Sequence, residues 1–129
     1  MPVNVMPTIL VVEDNPVNLE LLFDLLTSAG YQVVTAEDAD SCWDRLRSQR
    51  PDLILMDMQL PDVDGYTLTR KIKQDPDFSA IPIVAVTAYA MAGDQEKALE
   101  AGCAEVITKP IHAVSFLKTL ERHFFRQGQ

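Results

Sequence analysis

Leu53-Ile54-Leu55-Met56-Asp57, running on into Met58-Gln59-Leu60-Pro61-Asp62-Val63-Asp64-Gly65, is the stretch whose reading decides the fold. Its consecutive apolar residues, entered through Pro51-Asp52 and left through a Pro/Asp/Gly cluster, describe a strand buried on both faces, as in the middle of a parallel sheet. In open α/β sheets ligands bind beyond the carboxyl ends of the strands, so Asp57 stands where a carboxylate has chemistry available to it. Taken alone, the segment leaves a second role open, a cap on the turn that follows.

Working outward, Thr8-Ile9-Leu10-Val11-Val12, Gln32-Val33-Val34-Thr35-Ala36, Ile81-Pro82-Ile83-Val84-Ala85-Val86-Thr87 and Val106-Ile107-Thr108 are further strand segments. Asn15 and Pro16 have the chemistry of a helix start. The helix they open carries Val17, Leu21, Leu22, Leu25, Leu26 and Ala29 on one stripe and ends at Gly30. Leu19 and Phe23 fall outside the stripe and either broaden the core face or form an exposed partner-binding patch. A second helix places Ala39, Cys42, Trp43 and Leu46 at helical spacing before Arg50-Pro51, with Trp43 as a core anchor. A third runs from Tyr66 to Lys73 with only Leu68 and Ile72 firmly on its buried face and stops near Asp75-Pro76. A weakly patterned fourth covers Met91 to Ala101, before Gly102, and a fifth presents Ala113, Phe116, Leu117, Leu120 and Phe124 on one face. Strands alternating with helices in this way predict a parallel sheet with right-handed crossovers and helices on both faces.

A chain of 129 residues is one domain, able to bury roughly two-thirds of its unfolded surface. The expected division is a flexible leader over 1–7, a folded domain over 8–125 and a flexible tail over 126–129. Hydrophobic residues at 47% and charged residues at 23% fit an ordinary globular chain. A net charge of −8 argues against direct nucleic-acid binding, which demands a Lys/Arg footprint. Cys42 and Cys103 lack metal-ligand spacing and read as buried thiols in a reducing compartment. There is no basic, apolar signal segment and no membrane-span-length run, so a cytoplasmic protein without membrane insertion is expected.

The strand ends decide between the two roles left open for Asp57. Polar residues terminate the first, third, fourth and fifth apolar runs, as Glu13-Asp14, Asp57, Thr87 and Lys109, whereas the second ends near Ala36 with nothing comparable. In a sheet of order 2-1-3-4-5 those four strands are contiguous and the second lies to the side, so the polar residues converge at one edge. Unrelated caps would not avoid that strand in particular, and Asp57 is therefore read as functional. Unit charges about 4 Å apart repel by roughly 4 kcal/mol at an effective dielectric near 20, more than one lysine can offset for three carboxylates. An open oxygen-rich site of this kind suits Mg²⁺, which takes one or two carboxylates and completes its shell with water and phosphate oxygens. A phosphoryl group fits the rest: Asp57 as nucleophile, Lys109 and the metal against the equatorial oxygens, and the Thr87 hydroxyl as a donor.

These residues resemble the receiver domains of two-component response regulators. The resemblance covers residues 8 to 125 and rests on Glu13-Asp14, Asp57, the Pro61-x-x-x-Gly65 loop, Thr87-Ala88 and Lys109-Pro110. It implies a CheY-like, flavodoxin-like (βα)5 three-layer sandwich that accepts a phosphoryl group on Asp57 from a histidine kinase or histidine phosphotransfer protein. It further implies Mg²⁺ held by Asp14, Asp57 and the backbone carbonyl of Gln59, with Glu13 acting through water, and a cis Lys109-Pro110 bond. Such a domain catalyses only its own phosphorylation and dephosphorylation, and for the chain as given its output is a change in partner binding. The Val-Glu-Asp-Asn, Asp-Leu-Ile-Leu-Met-Asp and Ile-Thr-Lys-Pro-Ile stretches look most like stand-alone, DivK-like receivers or receiver modules of hybrid histidine kinases. One position departs from the pattern: the family usually has Tyr or Phe three residues before the lysine, and here that residue is Val106. Tyr89, two residues after Thr87, either supplies a ring on the same face or is an exposed tyrosine that modulates only access to the phosphate.

The rival from another class is an aspartyl-phosphate phosphatase of the haloacid dehalogenase type. That family resemblance calls for a second Asp two residues after the nucleophile, where this chain has Gln59, and for a nucleophile on the first strand. A flavin-binding flavodoxin fits the fold, but Glu13-Asp14 would repel its cofactor phosphate. His112 and His123 read as surface residues, and Asp62-x-Asp64-Gly65 lacks the later ligands of a calcium loop.

Overall fold

The computed structural model describes residues 6–60, 63–88 and 91–124. Its elements are β1 (Thr8–Val12), α1 (Pro16–Ser28), β2 (Gln32–Ala36), α2 (Ala39–Ser48), β3 (Leu53–Asp57), α3 (Gly65–Gln74), β4 (Ile83–Thr87), α4 (Ala92–Ala101), β5 (Glu105–Thr108) and α5 (Ala113–Phe124). The strands form one parallel sheet of order β2-β1-β3-β4-β5. This is the flavodoxin-like three-layer arrangement expected.

Because side chains alternate across a strand, the apolar runs split between two cores. Ile9, Val11, Leu53, Leu55, Val84 and Val86 pack with Leu22 and Leu26 of α1 and Phe116 and Leu120 of α5. Leu10, Val12, Ile54, Met56, Ile83 and Ala85 pack on the other face with residues of α2, α3 and α4, among them Leu46, Leu68, Ile72 and Ala98. Every residue of β3 and β4 is buried, which is why these two strands carry unbroken apolar runs.

Local chemistry sets the helix ends. The Asn15 side chain accepts from the Val17 and Asn18 N–H groups with Pro16 at the first helical position, and Gly30 follows the helix at φ 98°. Asp38 and Ser41 form a reciprocal capping box on α2. Asp64 caps α3 by accepting from Thr67 N, so this carboxylate is engaged as a helix cap.

Four helical expectations are corrected. On α1 only Leu22 and Leu26 are fully buried; Leu19 and Leu25 are half-buried, while Val17, Leu21, Phe23 and Ala29 are exposed. The helix is apolar over more of its circumference than the sheet covers, so periodicity alone set the stripe too wide and too far toward its amino end. Trp43 is a half-buried rim residue, its ring 6.1 Å from that of Phe78 with Arg47 over it, and the anchors of α2 are Cys42 and Leu46. Ala113 is exposed at the start of α5, and α3 buries Tyr66 and Thr69 as well as Leu68 and Ile72. Both cysteines are buried and free, and burial pushes their thiols up to about 12 for Cys42 and about 11 for Cys103, as befits inert core residues.

Gly65 is the tightest point in the frame. A Cβ there would stand 2.5 Å from the backbone oxygen of Asp57 and 2.6 Å from Met58 Cα, and Gly65 N donates to Met58 O at 3.1 Å. The amino end of α3 thus lies directly against the end of β3, with no room for a side chain between them. Gly65→Ala should lower stability by about 1–3 kcal/mol through this overlap with backbone that cannot swing aside. A urea midpoint equal to that of the parent protein would show that the end of β3 yields instead.

Candidate functional site

The register of the sheet assembles the site. Val12 pairs with Met56, so the next residues, Glu13 and Asp57, leave β1 and β3 at the same level. Asp57 pairs with Val86, which puts Thr87 one step further along β4, and Thr87 pairs with Thr108 immediately before Lys109. The Lys109–Pro110 peptide is cis, as the resemblance implied. Four strands therefore deliver their terminal polar residues to one edge, as expected from the order of the sheet.

Glu13, Asp57 and Thr87 are 2%, 3% and 1% exposed, whereas Asp14 is open to solvent. One carboxylate oxygen from each of Glu13, Asp14 and Asp57 lies within 4.8 Å of the others, the spacing of a shared cation site. Lys109 Nζ stands 3.4 Å from Glu13 Oε1 and 3.8 Å from Asp57 Oδ2, at the distance of charge pairing rather than of a tight hydrogen bond to the aspartate. Asp57 Oδ1 accepts from Gln59 N at 2.9 Å and Glu13 Oε2 from Asn15 N at 3.2 Å, so backbone amides orient both buried carboxylates.

The electrostatic consequence falls on Glu13. Burial, followed by the hydrogen bond and the negative charge of Asp57, pushes its carboxyl up to about 7 against the opposing pull of Asn15 N–H and Lys109. A group of this kind ionises when a cation arrives, and the three-carboxylate donor set is the hard, oxygen-only kind that suits Mg²⁺.

All the candidate residues within the described part of the chain, Glu13, Asp14, Asp57, Gln59, Thr87 and Lys109, lie at this edge. Tyr89 and Pro61 lie outside the described residues, and Val106 is half-buried on β5 against the α2–α4 core. His112 is exposed, but His123 is not the isolated surface residue expected: its Nε2 is 3.0 Å from Glu105 Oε1, and Arg122 holds the other oxygen at 2.8 Å. That pairing joins β5 to α5 across the fold and has no local sequence signal. Sequence reasoning also missed the side chain of Gln59, whose Nε2 donates to Thr87 Oγ1 at 2.9 Å. It missed as well the apolar wall beside the acid cluster, where a cavity of about 160 Å³ is lined by Glu13, Asn18, Leu21, Leu22, Lys109, Pro110 and Ile111.

Comparison with known proteins agrees with this geometry. The model of the response regulator receiver domain matches residues 9–121. Polar-differentiation response regulators DivK of Brucella anthropi and Brucella melitensis are 40% identical over 116 residues, 90% of this chain and 94% of theirs. Among solved structures, the receiver domain of a sensor histidine kinase from Pseudomonas aeruginosa superposes with a TM-score of 0.83 at 39% identity, covering 91% of this chain and 96% of that one. That structure has a magnesium ion coordinated in its active-site cleft. A phosphorylated cyanobacterial phytochrome response regulator superposes with a TM-score of 0.81 at 27% identity, over 96% of this chain and 97% of that one. The phosphatase alternative finds no support, since the position two residues beyond Asp57 carries an amide bonded to Thr87 in place of a second acid. With its acid cluster, its sheet order and these relatives, the chain belongs to the response regulator receiver domains of two-component signalling.

Proposed function

We propose that this receiver takes a phosphoryl group onto Asp57 from a histidine kinase or histidine phosphotransfer protein, in a Mg²⁺-dependent reaction, and that phosphorylation changes its partner binding. The observation that carries this reading is the buried Asp57 carboxylate, oriented by Gln59 N–H and set beside two further acids with Lys109 as the cation paired with it. In the step, an Asp57 oxygen attacks phosphorus, the donor's nitrogen–phosphorus bond breaks and its electron pair stays on the imidazole. Lys109 offsets charge on the transferring oxygens, and the Thr87 hydroxyl donates to one of them. Asp14, Asp57 and the backbone carbonyl of Gln59 would hold the metal, with Glu13 acting through water; when bound, Mg²⁺ supplies charge neutralisation for the phosphoryl oxygens. The domain catalyses its own phosphorylation and dephosphorylation and acts on no separate substrate. Among the described residues no helix is long and apolar enough to cross a membrane. A cytoplasmic location fits this reading.

The protein donor has a place to sit. Val17 and Leu21 are 72% and 62% exposed on α1, and Val114 is 70% exposed on α5. A groove of about 300 Å³ along Leu21, Leu25, Ile111 and Ala113 runs beside the cavity that reaches Glu13 and Lys109. An apolar face continuous with the acceptor site suits a partner that must bring a phosphohistidine to Asp57.

Phosphotransfer from a cognate kinase should label the parent protein and not Asp57→Asn; label that survives the substitution would remove Asp57 as acceptor. Paired Val17→Ala and Leu21→Ala substitutions should cut transfer from a protein donor by about tenfold. Labelling by acetyl phosphate, which needs no docking face, should change by less than about twofold. Equal losses with both donors would contradict a docking role.

Glu13 gives a pH test. Its carboxyl is raised in the folded state, so its contribution to stability is complete below the ordinary carboxylate range and is lost as pH rises through about 7. Mg²⁺ favours the ionised group, so the metal-induced rise in Tm should be larger at about pH 8 than at about pH 5.5. The same rise at both values would place Glu13 outside the influence of the metal.

A further inference from the structure

We propose that the Gln59 side chain is a positioning residue for the phosphoryl group, its amide setting the Thr87 hydroxyl as a donor toward the end of β3. The inference rests on the reading of Asp57 as acceptor and extends it to a side chain with no assigned role. Gln59 leaves the loop after β3 and crosses to the end of β4, where Nε2 lies 2.9 Å from Thr87 Oγ1. The same residue donates its backbone N–H to Asp57 Oδ1 at 2.9 Å. One residue thus holds both partners, the carboxylate through its main chain and the hydroxyl through its side chain.

The polarity of the second bond matters. Thr87 is β-branched and 1% exposed, so few χ1 rotamers are open to it, and what its oxygen accepts from bears on where the hydroxyl hydrogen points. A hydroxyl that accepts from an amide keeps its own hydrogen out of that bond, and accepting makes it a stronger donor to whatever it faces next. The chain Gln59 N–H to Thr87 O–H to phosphoryl oxygen is therefore mutually reinforcing. With the amide turned round, its carbonyl would take the Thr87 hydrogen and compete with the phosphoryl group, and the effect of removing Gln59 would change sign. A side chain of the same length without a donor, such as methionine, fills the space and breaks the relay.

The test uses beryllofluoride as the phosphoryl mimic at saturating Mg²⁺, with affinity read by calorimetry. Binding to the parent protein and its loss in Asp57→Asn check the underlying reading separately; a parent protein that does not bind the mimic overturns that reading, and this inference with it. Gln59→Met should then weaken binding on the order of fivefold, the worth of one neutral hydrogen bond. In a Thr87→Ala background the same change should matter by less than about twofold, because the hydroxyl that transmits it is gone. Unchanged or tighter binding in Gln59→Met, or an equal loss in both backgrounds, overturns the proposal. The Thr87 hydroxyl proton provides a readout independent of affinity: its exchange with water in the mimic complex should be faster in Gln59→Met than in the parent protein, and equal exchange in the two proteins overturns the proposal as well.

Discussion

The structure depends on a repulsion it does not resolve by itself. Glu13, Asp14 and Asp57 gather at the ends of two adjacent strands, and two of the three are almost wholly removed from water. Lys109, set 3.4 and 3.8 Å from the two buried acids, lowers that cost but does not cancel it. Burial and the neighbouring Asp57 raise the Glu13 carboxyl, which follows from that imbalance. Acids that a fold gathers and only partly compensates are suited to a cationic ligand, and the oxygens of Glu13, Asp14 and Asp57 have the spacing of a shared cation site.

The scaffold exists to hold that imbalance in place. Buried runs in β3 and β4 place Asp57 and Thr87 on rigid, fully packed strands, and the pairing of Val12 with Met56 brings Glu13 level with Asp57. Gly65 lets α3 close against the backbone of Asp57 at a distance no other residue permits. Two backbone amides, Asn15 N and Gln59 N, then aim the carboxylates. The α1 face carrying Val17 and Leu21 lies alongside, so an exposed apolar surface borders the acid cluster.

Most of this was legible in the sequence because it rests on short-range pattern. Apolar runs ending in Glu13-Asp14, Asp57, Thr87 and Lys109 give the strands, their order and the converging edge, and Asn15-Pro16 and Gly30 give the ends of α1. What was not legible depends on which surfaces meet. Val17 and Leu21 have the same chemistry as Leu22 and Leu26, and only the docking of α1 on the sheet separates the exposed pair from the buried one. Trp43 is as apolar as a core anchor but packs at the rim on Phe78. The Gln59–Thr87 and His123–Glu105 contacts join residues 28 and 18 positions apart, and nothing local announces either.

The central claim is that Asp57, of the three clustered acids, receives the phosphoryl group. Treatment with a phosphodonor in Mg²⁺, followed by borohydride reduction of the acyl phosphate and peptide mapping, reads the acceptor directly. The account predicts a single reduced site at residue 57, absent when metal is chelated. Reduction at Glu13 or Asp14, or a phosphorylated protein with no acyl phosphate to reduce, would contradict it.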